Sequence, residues 1–266
     1  MKETRPSLGP LGSNFFAYMQ VKGKELVRLG ELQEPLGLSA FQEQKLLQRL
    51  ADKGYLIRLK RGVYLVPQKI PPGGFWRPSE YYVIAKYMEV QNAKYYVSGL
   101  AAFNYHGLSH QIANQYVVYN NKISGLKNID QIAIRFIKTS EKNITGTHLI
   151  TIKNINVPIA SLEKSVLDVI NDWQRYQILA KAYEWLKKYK KNKKFINEFI
   201  RLTLLCANNN AIRRIGYYLE KLGVNKQKLS PLLKKLNSIQ SWIILIPKQQ
   251  QKGKTNNKWR IIDNVK

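Results

Sequence analysis

The sequence is poor in cysteine, in long apolar runs and in acidic residues. Its one cysteine, Cys206, excludes an internal disulfide and fits a reducing compartment. The longest apolar stretches, such as residues 242–247, have the length of a strand and fall far short of the roughly 20 residues that span a bilayer. Residues 1–6 lead into no apolar segment, so a secretory signal is not expected. These absences predict a cytoplasmic protein without a membrane span.

The shortage of acidic residues predicts the class of partner. Only 17 Asp and Glu face 44 Lys and Arg, which gives a formal net charge of +27. Such a surface attracts polyanions and releases counterions when it meets phosphate groups. Codon bias in an AT-rich genome would enrich Lys, Asn and Ile, but it would not deplete Asp and Glu so strongly. Nucleic acid is therefore the predicted partner, ahead of a membrane surface.

The chain is long enough for two domains with real cores, because 44% of its 266 residues are hydrophobic. Residues 67–74 predict a linker, since two adjacent prolines disfavour helix and two glycines add backbone freedom. The linker separates a first domain, residues 1–70 with a net charge of +6, from a second, residues 75–266 with +21. We predict an α+β fold, with a winged helix-turn-helix domain first and a larger mixed α/β domain with a helical bundle second.

The winged-helix prediction comes from the order of patterns in residues 1–70. The predicted helices cover residues 12–22, 29–36 and 40–53. Ser39 is a good N-cap for the third helix, with Gln42 as its capping-box partner. The predicted strands cover residues 55–59 and 63–66, around a tight turn at 60–62. Helix, turn, helix and a two-stranded hairpin is the pattern of a winged helix-turn-helix domain.

The third helix and the hairpin carry the candidate DNA contacts. If Phe41, Leu46, Leu47 and Leu50 face the core, the polar side chains of this helix face outward, and Glu43 is among them. Glutamine pairs with adenine and Arg or Lys with guanine, whereas hairpin cations bind phosphate or enter a minor groove. The alternative is a merely solvated helix face. The candidate DNA-binding residues are Ser39, Gln42, Lys45, Gln48, Arg49, Arg58, Lys60 and Arg61.

The second domain is predicted to hold a mixed sheet over about 95–160, helices over about 161–237 and a terminal hairpin over 241–263. The strands of that hairpin are residues 242–246 and 258–262, and Ser161 is predicted to cap the first helix of the bundle. The basic residues of these helices form either a candidate phosphate patch or a solvated surface. The patch residues are Lys187, Lys188, Lys190, Lys191, Lys193, Lys194, Arg213 and Arg214, with Lys221 beside the two arginines.

Several segments in this order resemble a known family, the AbiEi-type antitoxins of abortive-infection (AbiE) toxin–antitoxin systems. They are residues 59–64 (LKRGVY), 96–102 (YVSGLAA), 106–108 (HGL), 157–168 (VPIASLEKSVLD), 214–220 (RIGYYLE) and 257–260 (NKWR). The resemblance implies a transcriptional regulator of two domains. Its N-terminal domain would bind operator repeats and repress its own operon, and its C-terminal domain would counter a separately encoded nucleotidyltransferase-like toxin. The exceptional basicity of this chain departs from the family.

Enzymatic chemistry finds little support in the sequence, so no catalytic residue, metal or cofactor is predicted. His106 and His110 have the helical spacing of two metal ligands, but Gly107 lies between them and no acidic cluster is near. A nuclease would need carboxylates to hold a metal ion beside phosphate. The acid-x-Lys triplet at residues 43–45 lies inside the predicted DNA-contacting helix. A nuclease-like domain, active or inactive, and a general nucleic-acid-binding protein both stay open as alternatives to the repressor.

Overall fold

The structure, a computed structural model, describes residues 8–71, 75–152, 155–236, 240–247 and 252–265. These residues form a mixed α+β fold, in agreement with the predicted class. The chain divides into two compact units, one of residues up to Asn92 with Leu126–Ile134, the other of Ala93–Gly125 with the residues from Arg135 onward. None of the described helices has both the length and the apolar character that crossing a membrane requires.

The first unit begins with helices followed by a small sheet. Its elements are α1 (Gly9–Val21), β1 (Leu26–Arg28), α2 (Gln33–Leu36), α3 (Ala40–Asp52), β2 (Ile57–Lys60), β3 (Val63–Leu65) and α4 (Glu80–Val90). The three strands form an antiparallel sheet with β3 in the centre. The sequence does not predict β1, because three residues carry no alternation and only their pairing with β3 makes them a strand.

Helix α3 begins where the sequence predicts, and its capping box is confirmed. The Ser39 side chain accepts a hydrogen bond from the backbone N–H of Gln42 at 3.2 Å, and the Gln42 side-chain oxygen accepts one from the N–H of Ser39 at 2.9 Å. Leu46, Leu47 and Leu50 are buried in a core that also contains Phe15, Phe16, Met19, Tyr55, Leu56, Tyr64 and Val66. The helix, the hairpin and α1 therefore share one apolar core.

The first unit extends beyond the predicted boundary at residue 70. Helix α4 belongs to it, because the Lys86 ammonium pairs with the Glu25 carboxylate at 2.8 Å. The backbone N–H of Trp76 also donates to the carbonyl of Gly54 at 3.1 Å. The linker prediction falls partly on residues 72–74, which lie outside the described residues. A Pro-Gly composition shows where a helix is disfavoured, but it does not show which core the following helix joins.

A six-stranded mixed sheet follows, in the order β6-β7-β5-β4-β9-β8. Its chain order is β4 (Tyr95–Ser98), α5 (Leu100–Tyr105), β5 (Tyr116–Asn120), β6 (Gly125–Ile129), β7 (Ile132–Lys138), β8 (Thr147–Ile152) and β9 (Ile155–Ala160). Strand β4 is antiparallel to β5, with Val97 opposite Val118, and parallel to β9, with Val97 opposite Ile159.

The helical part of the second unit follows the predicted pattern closely. Its helices are α6 (Leu162–Asn171), α7 (Trp173–Tyr176), α8 (Leu179–Tyr189), α9 (Lys193–Cys206), α10 (Asn209–Lys221) and α11 (Lys226–Lys235). Ser161 caps α6 as predicted, accepting the backbone N–H of Lys164 at 3.1 Å. Asn192 and Asn208 cap α9 and α10 in the same way.

The end of the chain differs from the predicted hairpin. Strands β10 (Ile243–Ile244), β11 (Lys254–Asn256) and β12 (Ile261–Asp263) form a three-stranded sheet with β12 in the centre. The two predicted strands do pair, but β10 runs parallel to β12. The antiparallel partner of β12 is the polar β11. A parallel pair leaves no hairpin pattern in the sequence, because its two strands are joined by a crossover and not by a tight turn.

Gly216 of α10 gives a first testable prediction. A Cβ at this position would lie 2.1 Å from the Trp259 ring, so Gly216→Ala is expected to destabilise the second unit by about 1–3 kcal/mol through overpacking. In an open helix the same change would stabilise by about 0.5–1 kcal/mol. Urea denaturation measures the effect. The matched control is Gly12→Ala in α1, where the nearest atom, Leu8 Cβ, would lie at 3.4 Å. A Gly216→Ala protein as stable as wild type would contradict this packing.

Candidate nucleic-acid interface

The buried face of α3 includes a carboxylate that the sequence places outside. Glu43 is 1% exposed, and it accepts hydrogen bonds from the backbone N–H groups of Gly30 at 2.7 Å and Leu32 at 2.9 Å. The Gln33 side-chain amide donates a third at 3.2 Å. These donors satisfy the carboxylate in its buried position. The prediction that Glu43 faces outward is therefore wrong. Glu43, the acidic residue of the acid-x-Lys triplet at 43–45, holds the segment between β1 and α2 in place.

The prediction that Phe41 of α3 faces the core is also wrong, because this residue is 68% exposed. In an α-helix successive residues are rotated by about 100°, so Phe41 lies on the opposite side from Glu43 and Leu50. The turn between β1 and α2 needs the Glu43 carboxylate in the core. Once Glu43, Leu46 and Leu50 are buried, the rotation of the helix leaves Phe41 in solvent.

The remaining candidate side chains of α3 are on its exposed face. Ser39, Gln42, Lys45, Gln48 and Arg49 are all exposed. Helical rotation places Lys45 and Gln48 near the middle of this face, whereas Gln42 and Arg49 lie toward one edge. The Arg49 guanidinium donates to the carbonyl of Leu8 at 3.5 Å. The face therefore presents amide and ammonium groups that can donate to acceptors on a base edge.

The hairpin carries its three cations near the turn. Arg58 and Arg61 are exposed and Lys60 is half-buried. Gly62 closes the turn with φ of +73°, and its carbonyl accepts the backbone N–H of Leu29 at 2.9 Å, which ties the turn to the end of β1. Within the described parts of the chain, no carboxylate forms an ion pair with any of the three cations or with Lys45. Their charges are therefore available to a polyanion.

The candidate phosphate patch of the second unit is split by the structure. Its six lysines are all exposed around the junction of α8 and α9, where Asn192 caps α9. They are Lys187, Lys188, Lys190, Lys191, Lys193 and Lys194. The aromatic rings between them serve the packing, since Tyr189 stacks on Phe195 at 5.0 Å between centroids.

Arg213 and Arg214 do not belong to that patch, and this part of the prediction is wrong. Arg213 is 1% exposed and donates to the backbone carbonyls of Trp259, Ser241 and Arg260. Arg214 is 5% exposed and donates to the carbonyl of Ile244, with its guanidinium over the Trp173 ring. Both guanidinium groups hold the terminal strands on α10. Neighbouring Lys221 pairs with the Asp263 carboxylate at 2.6 Å.

A buried polar cluster in the second unit is absent from the sequence predictions. The Lys164 ammonium lies 2.6 Å from the Asp168 carboxylate, and both side chains are less than a twentieth exposed. The Ser98 hydroxyl donates to the same carboxylate at 2.9 Å and the Tyr96 hydroxyl at 3.2 Å. Burial raises the pKa of the Tyr96 hydroxyl well above its usual value, so it stays a proton donor. Burial also raises the pKa of the Asp168 carboxyl, and the Lys164 ammonium opposes that rise.

The four side chains of the cluster are buried, and their bonds join β4 to α6 inside the second unit. The spacing of Lys164 and Asp168 by one helical turn was the available signal in the sequence. The burial of Lys164 and Asp168 could not be recognised from the sequence, because it depends on β4, which lies some seventy residues earlier. Among the described residues, no three His, Cys, Asp or Glu side chains lie together as a metal site requires.

Comparison with known proteins places the chain in a family without a known role. The family described as "Family of unknown function (DUF6088)" matches residues 37–193, more than half of the chain, and the chain belongs to it. No curated protein matches the sequence. Among solved structures, the chain is similar to one titled "Crystal structure of RV2827C protein from Mycobacterium tuberculosis". The TM-score is 0.60 over 96% of this chain and 92% of that one, at 13% identity, which shows a common fold.

Proposed function

We propose that this member of the DUF6088 family is a sequence-specific DNA-binding repressor whose residues 9–66 form a winged helix-turn-helix domain. In this proposal α2 and α3 are the helix pair, α3 lies in a major groove, and the β2–β3 hairpin is the wing. One observation carries the proposal: the polar face of α3 and the three cations of the hairpin stand on one shared core.

The polar face of α3 would supply the base contacts. The side-chain amide of Gln48 matches the donor and acceptor pair of adenine, and the Lys45 ammonium matches the two acceptors of guanine. Both side chains are exposed near the middle of the face. Glu43 is buried, so its negative charge is not presented to the phosphate backbone.

The hairpin cations would supply contacts that are independent of sequence. Arg58, Lys60 and Arg61 have no carboxylate partner among the described residues, so binding phosphate breaks no ion pair. Phosphate contacts fix the register of a protein on the duplex, and base contacts then select the sequence. We therefore assign anchoring to the hairpin and selection to α3.

The regulatory role in the proposal rests on the resemblance to AbiEi-type antitoxins. In this role the protein represses its own operon and counters a nucleotidyltransferase-like toxin through its larger domain. An adjacent reading frame for such a toxin is the expected genomic context. Growth arrest by that gene alone, relieved by co-expression of this chain, is the expected result. Growth arrest that this chain does not relieve would contradict the antitoxin role without touching DNA binding.

A second candidate function is general nucleic-acid binding through the second unit. The six exposed lysines around the α8–α9 junction favour it, because phosphate contacts alone give binding without sequence preference. Selection of duplexes from a random pool by the full chain distinguishes the two functions. Enrichment of one sequence supports the repressor. Binding without enrichment, abolished by Lys190→Ala together with Lys191→Ala, supports the second candidate.

The exposed face of α3 gives the prediction that tests base contact. Lys45→Ala with Gln48→Ala is expected to weaken binding to the selected duplex by about 1–3 kcal/mol for each base that the variant no longer touches, and much less on random DNA. Fluorescence anisotropy on both duplexes measures the ratio of the two affinities. The matched control is Lys226→Ala with Gln227→Ala on α11, which removes the same two residue types from another exposed position. An unchanged ratio in the α3 variant would contradict base contact by these residues.

A further inference from the structure

Phe41 is exposed at the centre of the helix face to which we assign base selection. Helical rotation places Phe41, Lys45 and Gln48 within about 60° of one another. Phe41 is 68% exposed, and the Lys45 ammonium lies 5.3 Å from the centroid of its ring. The face therefore presents one large apolar group among its polar groups.

An exposed phenylalanine forgoes the roughly 1.5–3 kcal/mol that burial of such a side chain contributes. Phe41 cannot be buried in the core of the first unit, because Glu43, Leu46 and Leu50 occupy the buried side of α3. The Lys45 ammonium over the ring adds a cation–π contact and keeps a positive charge beside the apolar surface. A ligand that covers the Phe41 ring must therefore offer an apolar group and, beside it, an acceptor for the Lys45 ammonium.

We propose that Phe41 contacts the 5-methyl group of a thymine in the major groove, and that this contact selects thymine at one position of the operator. The thymine methyl is the apolar group that base pairs present in the major groove, and phenylalanine is one of the side chains that contact it. It lies in the same groove as the guanine acceptors that we assign to the Lys45 ammonium. This inference rests on the proposed function and names one base that the α3 face selects.

Deoxyuridine substitution tests the contact, because it removes the methyl group and leaves the hydrogen-bonding edge of the base unchanged. The thymines of the duplex selected by the full chain are replaced one at a time. At one position the replacement is expected to weaken wild-type binding about 3- to 5-fold, the effect of one buried methyl group. In Phe41→Ala the same replacement is expected to have no effect, while Phe41→Leu is expected to keep part of it.

The control is Phe75→Ala, which removes another exposed phenylalanine, 66% exposed, from the same unit. It is expected to leave the deoxyuridine effect unchanged. Wild-type binding that is insensitive to deoxyuridine at every position would overturn the thymine contact and leave the repressor proposal in place. So would an effect of equal size in Phe41→Ala. Failure of the full chain to select any duplex would overturn the proposed function and this inference together.

Discussion

Replacing Arg58, Lys60 and Arg61 together with alanine is expected to weaken binding to every duplex, selected or random, on the order of 100-fold at 0.1 M salt. Each phosphate contact contributes about 0.9 to the slope of log K against log salt, so removing three phosphate contacts lowers the slope by about 2.7. Sequence discrimination is expected to survive, because α3 is untouched. Anisotropy titrations between about 50 and 300 mM salt measure both quantities.

The control for that variant removes three other cations from the first unit. Lys22, Lys69 and Lys127 are exposed, lie outside the hairpin turn and, like the hairpin cations, have no carboxylate partner among the described residues. Their replacement by alanine takes away the same net charge. If both triple variants lower the salt slope equally, the overall positive charge of the protein accounts for the binding, and the hairpin makes no specific phosphate contacts.

Asp168→Ala is expected to destabilise the second unit by about 3–5 kcal/mol, because it leaves the buried Lys164 ammonium without its counterion. It also leaves the Ser98 hydroxyl without its acceptor in the cluster. Lys164→Met combined with Asp168→Leu is expected to recover part of the stability, since it removes both charges at similar volume but still leaves the Ser98 and Tyr96 hydroxyls without their acceptor. Urea denaturation followed by tryptophan fluorescence suits the measurement, because four of the five tryptophans lie in the second unit.

The matched control is an exposed carboxylate–cation pair on a neighbouring helix. Glu198 and Arg201 of α9 lie 2.6 Å apart with both side chains at least one third exposed. Glu198→Ala is expected to change the free energy of unfolding by less than about 1 kcal/mol. If Asp168→Ala lowers the free energy of unfolding no more than Glu198→Ala does, the buried cluster does not contribute to stability as described.

The helix starts that have a serine cap were the part of the fold that the sequence could predict best, whereas α2, which has no side-chain cap, begins at Gln33 and not at residue 29. Ser39 and Ser161 each accept a backbone N–H three residues later, and this interaction depends only on neighbouring residues. The leucines at 46, 47 and 50 were also correctly placed inside, since their spacing matches one side of a helix. Local chemistry and helical period sufficed for both.

Side chains with distant partners could not be predicted in the same way. Glu43 is buried because donors on another segment, at Gly30 and Leu32, reach its carboxylate. Arg213 is buried because the carbonyls of Ser241 and Trp259 reach its guanidinium. A charged residue in a sequence predicts an exposed position until the groups that satisfy it are known. The parallel pairing of β10 with β12 could not be predicted either, because it too depends on a partner that is distant in the sequence.

Photocrosslinking from α3 tests the central claim most directly, since the claim is that this helix contacts bases. A photoreactive residue in place of Gln48, in the full chain, is expected to form a covalent adduct with a base of the selected duplex. The same residue in place of Gln227 on α11 gives the background. Adduct yield from position 48 no higher than from position 227, with the duplex demonstrably bound, would contradict the account.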